Sequence, residues 1–528
     1  MTTNDRKPGF APRVRRWPLT PRQSGLALVV LAIAALTALG LSGPVSSAFG
    51  RSAPADTSEH AQHQHGPMAQ DTNASCPPVA APVPSGSAAP AVEGAPAPML
   101  VEPAVISSEN GVLKTTLTVA AQNVQIGDQT VTGRVYNGAF VGPTLRVRPG
   151  ERMELTLANC LGESTNIHFH GMNVSPSGYS DNVFRTIDPG VVGGYLIDLP
   201  PNHPVGTFWY HAHVHGSTAS QVFGGLSGMI VVEGLRDRLP PELRDVAEHF
   251  IALKDFHEID GVIPSSNISI GAPTTRTVNG QIRPQFQIQP GETQLLRIGN
   301  IGANITYLVK LDGHPFHIIA EDGTPVWTVT AQDQLVLPAG KRFDVLIQGG
   351  PPGTYVLETL PYNTGPDGDQ FPQTNLATLV SQGAGQPAAS LPATLEGTLD
   401  LSSAPIAQQR DIEFSEDTET NLFFINGRTF DHNRVDVTAK FGTVEEWTIR
   451  NTSGEEHPFH IHQLEFQVMS VNGQPYDAYG LQDVVMLPAM GEVVVRIPFR
   501  EFTGTWVFHC HILNHEDRGM MATVEVVP

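Results

Sequence analysis

PTLRVRPGERMELTLANC (143–160), PQFQIQPGETQLLRIGN (284–300) and VDVTAKFGTVEEWTIRN (435–451) share one layout: an alternating run, a glycine-bearing turn, and a second run that closes on or just after asparagine. Side chains alternate between the two faces of an extended strand, so this alternation marks strands half buried in a sheet. The likeness continues outward. IHFHGM (167–172), HPFHII (314–319) and HPFHIH (457–462) come next, followed by GTFWYHAH from Gly206, GTYVLETL from Gly353 and GTWVFHCH from Gly504. From His168, His317 and His460 to those glycines the chain runs 38, 36 and 44 residues. Three landmarks recurring in order at near-constant spacing mean one structural unit used three times. The runs are short, rich in Val, Ile, Thr and aromatic residues, and set between Gly and Pro turns. The chain therefore reads as all-β, with three β-sandwiches in tandem.

Composition agrees. A chain of 528 residues is long enough for about three domains. Its 51 Gly and 44 Pro punctuate short strands rather than long helices. With 52 Asp and Glu against 31 Lys and Arg, the net charge of -21 excludes a nucleic-acid partner, which would need clustered cations. Three cysteines exclude a disulfide framework and a Cys-rich zinc module.

The first fifty residues read as an address. Arg13, Arg15, Arg16 and Arg22 precede 28 uncharged residues with an apolar heart from Leu26 to Leu41. This is a signal peptide cleaved near Ser46-Ser47-Ala48 or a retained membrane anchor, and either one exports the remainder to the periplasm, the cell surface or the medium. Residues 51–105 read as a disordered tether, because residues 51–100 hold 12 Ala, 9 Pro and no aromatic side chain. The tether carries His60, His63 and His65, an incidental solvated run or a weak copper-catching tail, and Cys76, whose pairing with Cys160 the spacing leaves open. The three sandwiches are expected at 106–234, 235–395 and 396–528.

Histidines carry the chemistry. Ten of the 20 fall in four compact motifs: His168-Phe-His170, His211-Ala-His213, His457-Pro-Phe-His460-Ile-His462, and His509-Cys510-His511 with His515. Residues i and i+2 of a strand share a face, so each His-x-His aims two imidazoles at one place. Four such pairs (168/170, 211/213, 460/462, 509/511) can converge on three copper ions. The same alternation turns Cys510 to the opposite face, where it can join His457 and His515, with Met520 as a weak axial thioether. Two imidazoles, one thiolate and a distant thioether make a blue-copper electron-transfer set. The middle repeat is an internal control. Glu358, Thr359 and Leu360 stand where the third repeat has His509, Cys510 and His511, so it should bind no copper, and His314 and His317 read as packing or turn residues.

These motifs, above all HCHILNHEDRGM (509–520), resemble the three-domain multicopper oxidases, which include laccases, bilirubin oxidases and bacterial cuprous oxidases. The resemblance spans about 106–528. It implies cupredoxin-like Greek-key sandwiches holding one type 1 copper (His457, Cys510, His515, axial Met520), one type 2 copper (His168, His460) and a type 3 pair (His170, His211, His213, His462, His509, His511). It also implies O2 and a small reducing substrate (a phenol, an aromatic amine or a metal ion) as partners, and Glu516 and Asp181 as proton-relay acids. A monomer is expected. His215 reads as a neighbour of the ligands or a substrate-side residue. Two rival readings are a copper nitrite reductase, which would leave His-x-His pairs in surplus, and a non-enzymatic copper-binding envelope protein, which would be expected to have lost ligands.

Overall fold

The computed structural model describes residue 76 and residues 97–265, 273–396 and 399–528. The expected signal segment and His60, His63 and His65 lie outside the described residues. Three cupredoxin-like β-sandwiches follow one another, and each contains the same three-strand kernel. The second run of each repeated motif is the kernel's central strand: Arg152–Asn159, Thr293–Asn300 and Thr443–Asn451. On one side it pairs in parallel with Val112–Ile126, Ala247–Phe256 or Ile406–Asp417. On the other it pairs antiparallel with Val192–Asp198, Arg342–Gln348 or Glu492–Phe499.

The asparagine in each motif has a mechanical cause. Its amide NH2 bridges two loop carbonyls: Glu163 and Ile187 from Asn159, Ile305 and Leu337 from Asn300, Glu455 and Leu487 from Asn451. Its side-chain oxygen accepts the N–H two residues on, from Leu161, Gly302 and Ser453. Asparagine is suited to turn back on its own backbone in this way, so it ends the strand and ties down the loop that follows.

The opposing sheets carry the histidines. In the first sandwich, His168–His170 pairs antiparallel with Gly206–His211, which places His168 opposite His211. In the third, His457–Ile461 pairs antiparallel with Gly504–Cys510, which places His460 opposite His509 and Phe459 opposite Cys510. One buried apolar cluster runs continuously through the first two sandwiches, from Leu113 to Leu395. The third has its own, around Trp447, Phe459, Phe508 and Cys510.

Two parts of the expected tether are anchored. Cys76 forms a disulfide with Cys160. Residues 97–105 pack onto the body: the Val101 N–H donates to Gln281, Glu102 accepts from the Phe250 N–H, and Val105–Ser107 adds a parallel strand to Gly142–Val147. The tether expected over 51–105 therefore does not extend to 105. Leu100 and Ile106 supply the apolar contacts that the Ala/Pro run lacks.

Glu248 lies between the first two sandwiches and pairs with Arg146 of one and Arg297 of the other. Burial pushes its carboxyl up, but the two guanidinium groups outweigh this and hold it at about 2 against an ordinary 4.5. A depressed folded value stabilises the fold fully above the unfolded value, and the benefit is lost as pH falls through the folded one. Glu248→Gln should therefore cost about 3 kcal/mol at pH 7, at ~1.4 kcal/mol per pK unit. Denaturation midpoints across a pH series should show the penalty shrinking below pH 4.5 and gone near pH 2.

Candidate metal centre

The eight imidazoles of the four His-x-His pairs meet between the first and third sandwiches, all of them buried. The two sandwiches touch through ring faces: His168 stacks on His462 at 3.7 Å, and His170 on His460 at 3.8 Å between ring centroids. Three candidate metal triads draw only on these histidines: His168/His170/His211, His168/His460/His462 and His213/His462/His509.

Four of the rings are aimed by a bond on the far nitrogen. Asp181 holds Nδ1 of His168 at 3.0 Å, and the carbonyl of residue 483 holds Nδ1 of His460 at 2.8 Å. His211 and His509 use one local device, Nδ1 against the carbonyl of the next residue, at 2.9 Å in both. The opposite nitrogens of His168, His211 and His460, all Nε2, are buried without a hydrogen-bond partner. Burial, reinforced by the neighbouring imidazoles, holds His168, His462 and His511 well below the ordinary histidine range. These rings are neutral, and their lone pairs are turned inward.

The thiolate site lies on the other side of the strand Gly504–Cys510. Sγ of Cys510 is 3.7 Å from Nδ1 of His457 and 3.9 Å from Nδ1 of His515. Ser453 fixes the His457 ring at 2.7 Å, and Phe423 stacks on His515 at 3.9 Å. The Ile512 N–H donates to Sγ. Met520 is fully buried in the same apolar cluster, with its carbonyl accepting from the Cys510 N–H. Burial pushes the Cys510 thiol well above its usual range, so it ionises only where a metal supplies the opposing charge. Unpartnered inward lone pairs and a soft sulfur with two imidazoles fit copper.

Glu516 is fully buried, with Oε1 accepting from the Thr218 hydroxyl and Oε2 3.3 Å from Nδ1 of His509. Asp181 joins the two outer sandwiches, since it accepts from the Phe169 N–H and from Gln463. Among the described residues His215 belongs to no ligand triad. Its ring is 5.9 Å from His213 and packs against Phe430. In the middle sandwich His314 serves a turn, accepting the Gly350 N–H and packing on Tyr355. Glu455, in the loop before His457, is buried with Oε2 3.8 Å from His515 Nε2. Burial, then Asp369 and Glu416, push it up to about 8. No motif or spacing points to Asp483, which touches both His170 and Arg342. It stands alone in LQDVV, far along the chain from either partner.

A closed basin of neutral imidazoles joined through adjacent residues to a histidine–thiolate site defines a multi-site redox metalloprotein built on cupredoxin-like sandwiches. The multicopper oxidase family matches this chain at 118–237, 248–384 and 402–528. The chain belongs to the multicopper oxidases. It is 29% identical over 401 residues to the multicopper oxidase mco of Staphylococcus haemolyticus, covering 74% of this chain and 83% of that one. It is also 29% identical over 426 residues to the cell division protein FtsP of Escherichia coli, covering 74% and 85%. Among solved structures, the Campylobacter jejuni multicopper oxidase described as a metallo-oxidase superposes with a TM-score of 0.72 at 26% identity, covering 81% and 95%. A laccase from Pediococcus acidilactici also gives 0.72, at 25% identity, covering 82% and 94%.

Cys510→Ser should abolish the intense visible thiolate absorption of the copper-loaded protein while the histidine basin retains its metal. Absorption spectra paired with metal analysis of the two proteins check this.

Proposed function

We propose that the chain couples one-electron oxidation of a small reducing substrate to four-electron reduction of O2 to water. The observation that carries this reading is the run His509-Cys510-His511, whose middle residue faces one site and whose outer residues face the other. His457, Cys510, His515 and Met520 would hold a type 1 copper. His168 and His460 would hold a type 2 copper, and His170, His211, His213, His462, His509 and His511 a type 3 pair. Bound copper supplies electron acceptance at the thiolate and O2 reduction at the basin. The protein keeps the ring nitrogens aimed, excludes water and keeps the two sites one residue apart.

Water formation consumes protons, and Glu516 beside His509 is the group best placed to hand them on, with Asp181 beside His168 as a second acid. Glu455 faces the His515 ring with its carboxyl raised to about 8, by burial first and then by Asp369, Glu416 and Glu456, so it carries a proton at neutral pH and turns negative only above that value. Reduced metal ions, aromatic amines and phenols all remain donors for this site, in keeping with the likeness both to a metallo-oxidase and to a laccase. The disulfide Cys76–Cys160 supports export, because such bonds persist in oxidising compartments.

The likeness to FtsP supports a second reading, a protein of this fold that acts without turnover. Oxygen uptake by the copper-loaded chain against Cu(I), Fe(II), Mn(II), aromatic amines and phenols decides between them. Uptake of one O2 per four electrons donated is expected, and no uptake with any donor sinks the oxidase reading. Nitrite consumption without O2 uptake would indicate a nitrite reductase instead. Glu516→Gln should slow steady-state O2 consumption on the order of 10²-fold while leaving the visible thiolate absorption intact. An unchanged rate across a pH series would remove Glu516 from the relay.

A further inference from the structure

His170 is bonded the opposite way round from its neighbours. His168, His211 and His460 hold Nδ1 on an oxygen and present Nε2 to the basin. In His170 it is Nε2 that meets an oxygen, Oδ1 of Asp483 at 3.1 Å, while Nδ1 faces the basin 3.2 Å from Nε2 of His511. Asp483 is itself clamped. Both of its carboxylate oxygens accept from the guanidinium of Arg342, at 2.7 Å each, and its carbonyl is the group that holds Nδ1 of His460.

Arg342 and its supports come from the middle sandwich, which has no thiolate set and no complete His-x-His pair. Asp322 accepts from the backbone N–H groups of Arg342, Asp483 and Val484. Lys341 donates to Asp322, to Gln482 and to the Val484 carbonyl. Asp322, Arg342 and Asp483 are completely buried. Two glycines show how closely this assembly is fitted to the basin. A Cβ on Gly171, next to His170, would lie 2.2 Å from Oδ2 of Asp483 and 2.4 Å from Arg342. A Cβ on Gly340 would lie 3.0 Å from the His170 ring and 3.1 Å from the His511 ring. Both glycines have positive φ, +78° and +89°, so a side chain is disfavoured there twice over.

We propose that Asp483, gripped by Arg342 of the middle sandwich, is the positioning carboxylate that makes Nδ1 of His170 its metal-facing nitrogen and fixes His460 beside it. The middle sandwich thus governs assembly of the histidine basin without supplying a ligand. A carboxylate accepting at Nε2 keeps the proton there and leaves the Nδ1 lone pair for metal; partners of this kind set both tautomer and ring direction. The guanidinium fork fixes the carboxylate in plane, which a lysine ammonium cannot do. The proposal rests on the basin being a copper site, as in the reading above.

The test uses the full copper-loaded chain and two variants. Arg342→Lys keeps the charge and removes the fork. The double variant Arg342→Gln with Asp483→Asn removes both charges together and leaves no lone buried ion. Copper per chain after exposure to a graded chelator, the EPR-silent share of that copper, and the Cys510 absorption are read in parallel. The expected result is basin copper held roughly 10- to 100-fold more weakly in the double variant, and less weakly lost in Arg342→Lys, with the thiolate absorption unchanged. Equal loss from both sites, or wild-type retention in the basin, overturns the proposal. If the double variant does not fold, a crystal structure of the copper-loaded wild type decides: ligation through Nδ1 of His170 with Nε2 on Asp483 supports it, and ligation through Nε2 overturns it. A wild type that binds no EPR-silent copper would instead defeat the oxidase reading itself.

Discussion

Neutral imidazoles stacked face to face between the first and third sandwiches are the constraint on which the rest of the structure depends. At 3.7 and 3.8 Å between ring centroids, His168/His462 and His170/His460 leave no room for water between their faces. Burial suppresses protonation, so the rings do not repel one another as cations. The cost is a set of inward lone pairs with nothing to accept from, which buried polar groups rarely tolerate. Metal ions relieve that cost, so metal binding and the docking of the outer sandwiches are linked.

The middle sandwich has a mechanical share in this arrangement. Its Asp344 accepts from the backbone and hydroxyl of Thr207, which holds the strand leading to His211. Its Ala303 carbonyl accepts from the Leu513 N–H, and its Asn304 side chain from the Asn514 N–H, which fixes the loop beyond Cys510. A repeat that kept the fold while lacking ligands thus serves as a frame against which both halves of the site are registered.

The repeats, the sandwiches and the convergence of the histidines were legible in the sequence because they rest on local periodicity. His168 opposite His211 and His460 opposite His509 follow from strand alternation and one antiparallel pairing each. What stayed illegible was long-range and ionic. Asp483 meets Arg342 from 141 positions away and His170 from 313, and no local pattern encodes such a meeting. Glu455 is equally unmarked in the sequence, since nothing in its neighbours shows that Thr364 and Asp369 of another sandwich will close over it. The tether misread at 97–105 had the reverse cause: composition averaged over fifty residues hid the few apolar side chains at its end.

The stretch 509–520 shows how the groups proposed for electron and proton transfer can share so short a segment. It leaves the strand Gly504–Cys510, turns through the short helix Leu513–Asp517 and re-enters the sheet at Met521–Val527. The strand end gives Cys510 and His509 opposite faces, and the helix returns Glu516 to the His509 side while His515 stays with Cys510. One residue further, Asp517 accepts from the Thr218 and Ala219 N–H groups, capping a first-sandwich helix that has no side-chain cap of its own. The helix is thereby tied to the first sandwich at Asp517 and to the second at Leu513. Neither Cys510 nor Glu516 can shift without straining contacts to both. Cys510 and Glu516, six positions apart, keep a fixed geometry because the two remaining sandwiches hold the segment between them.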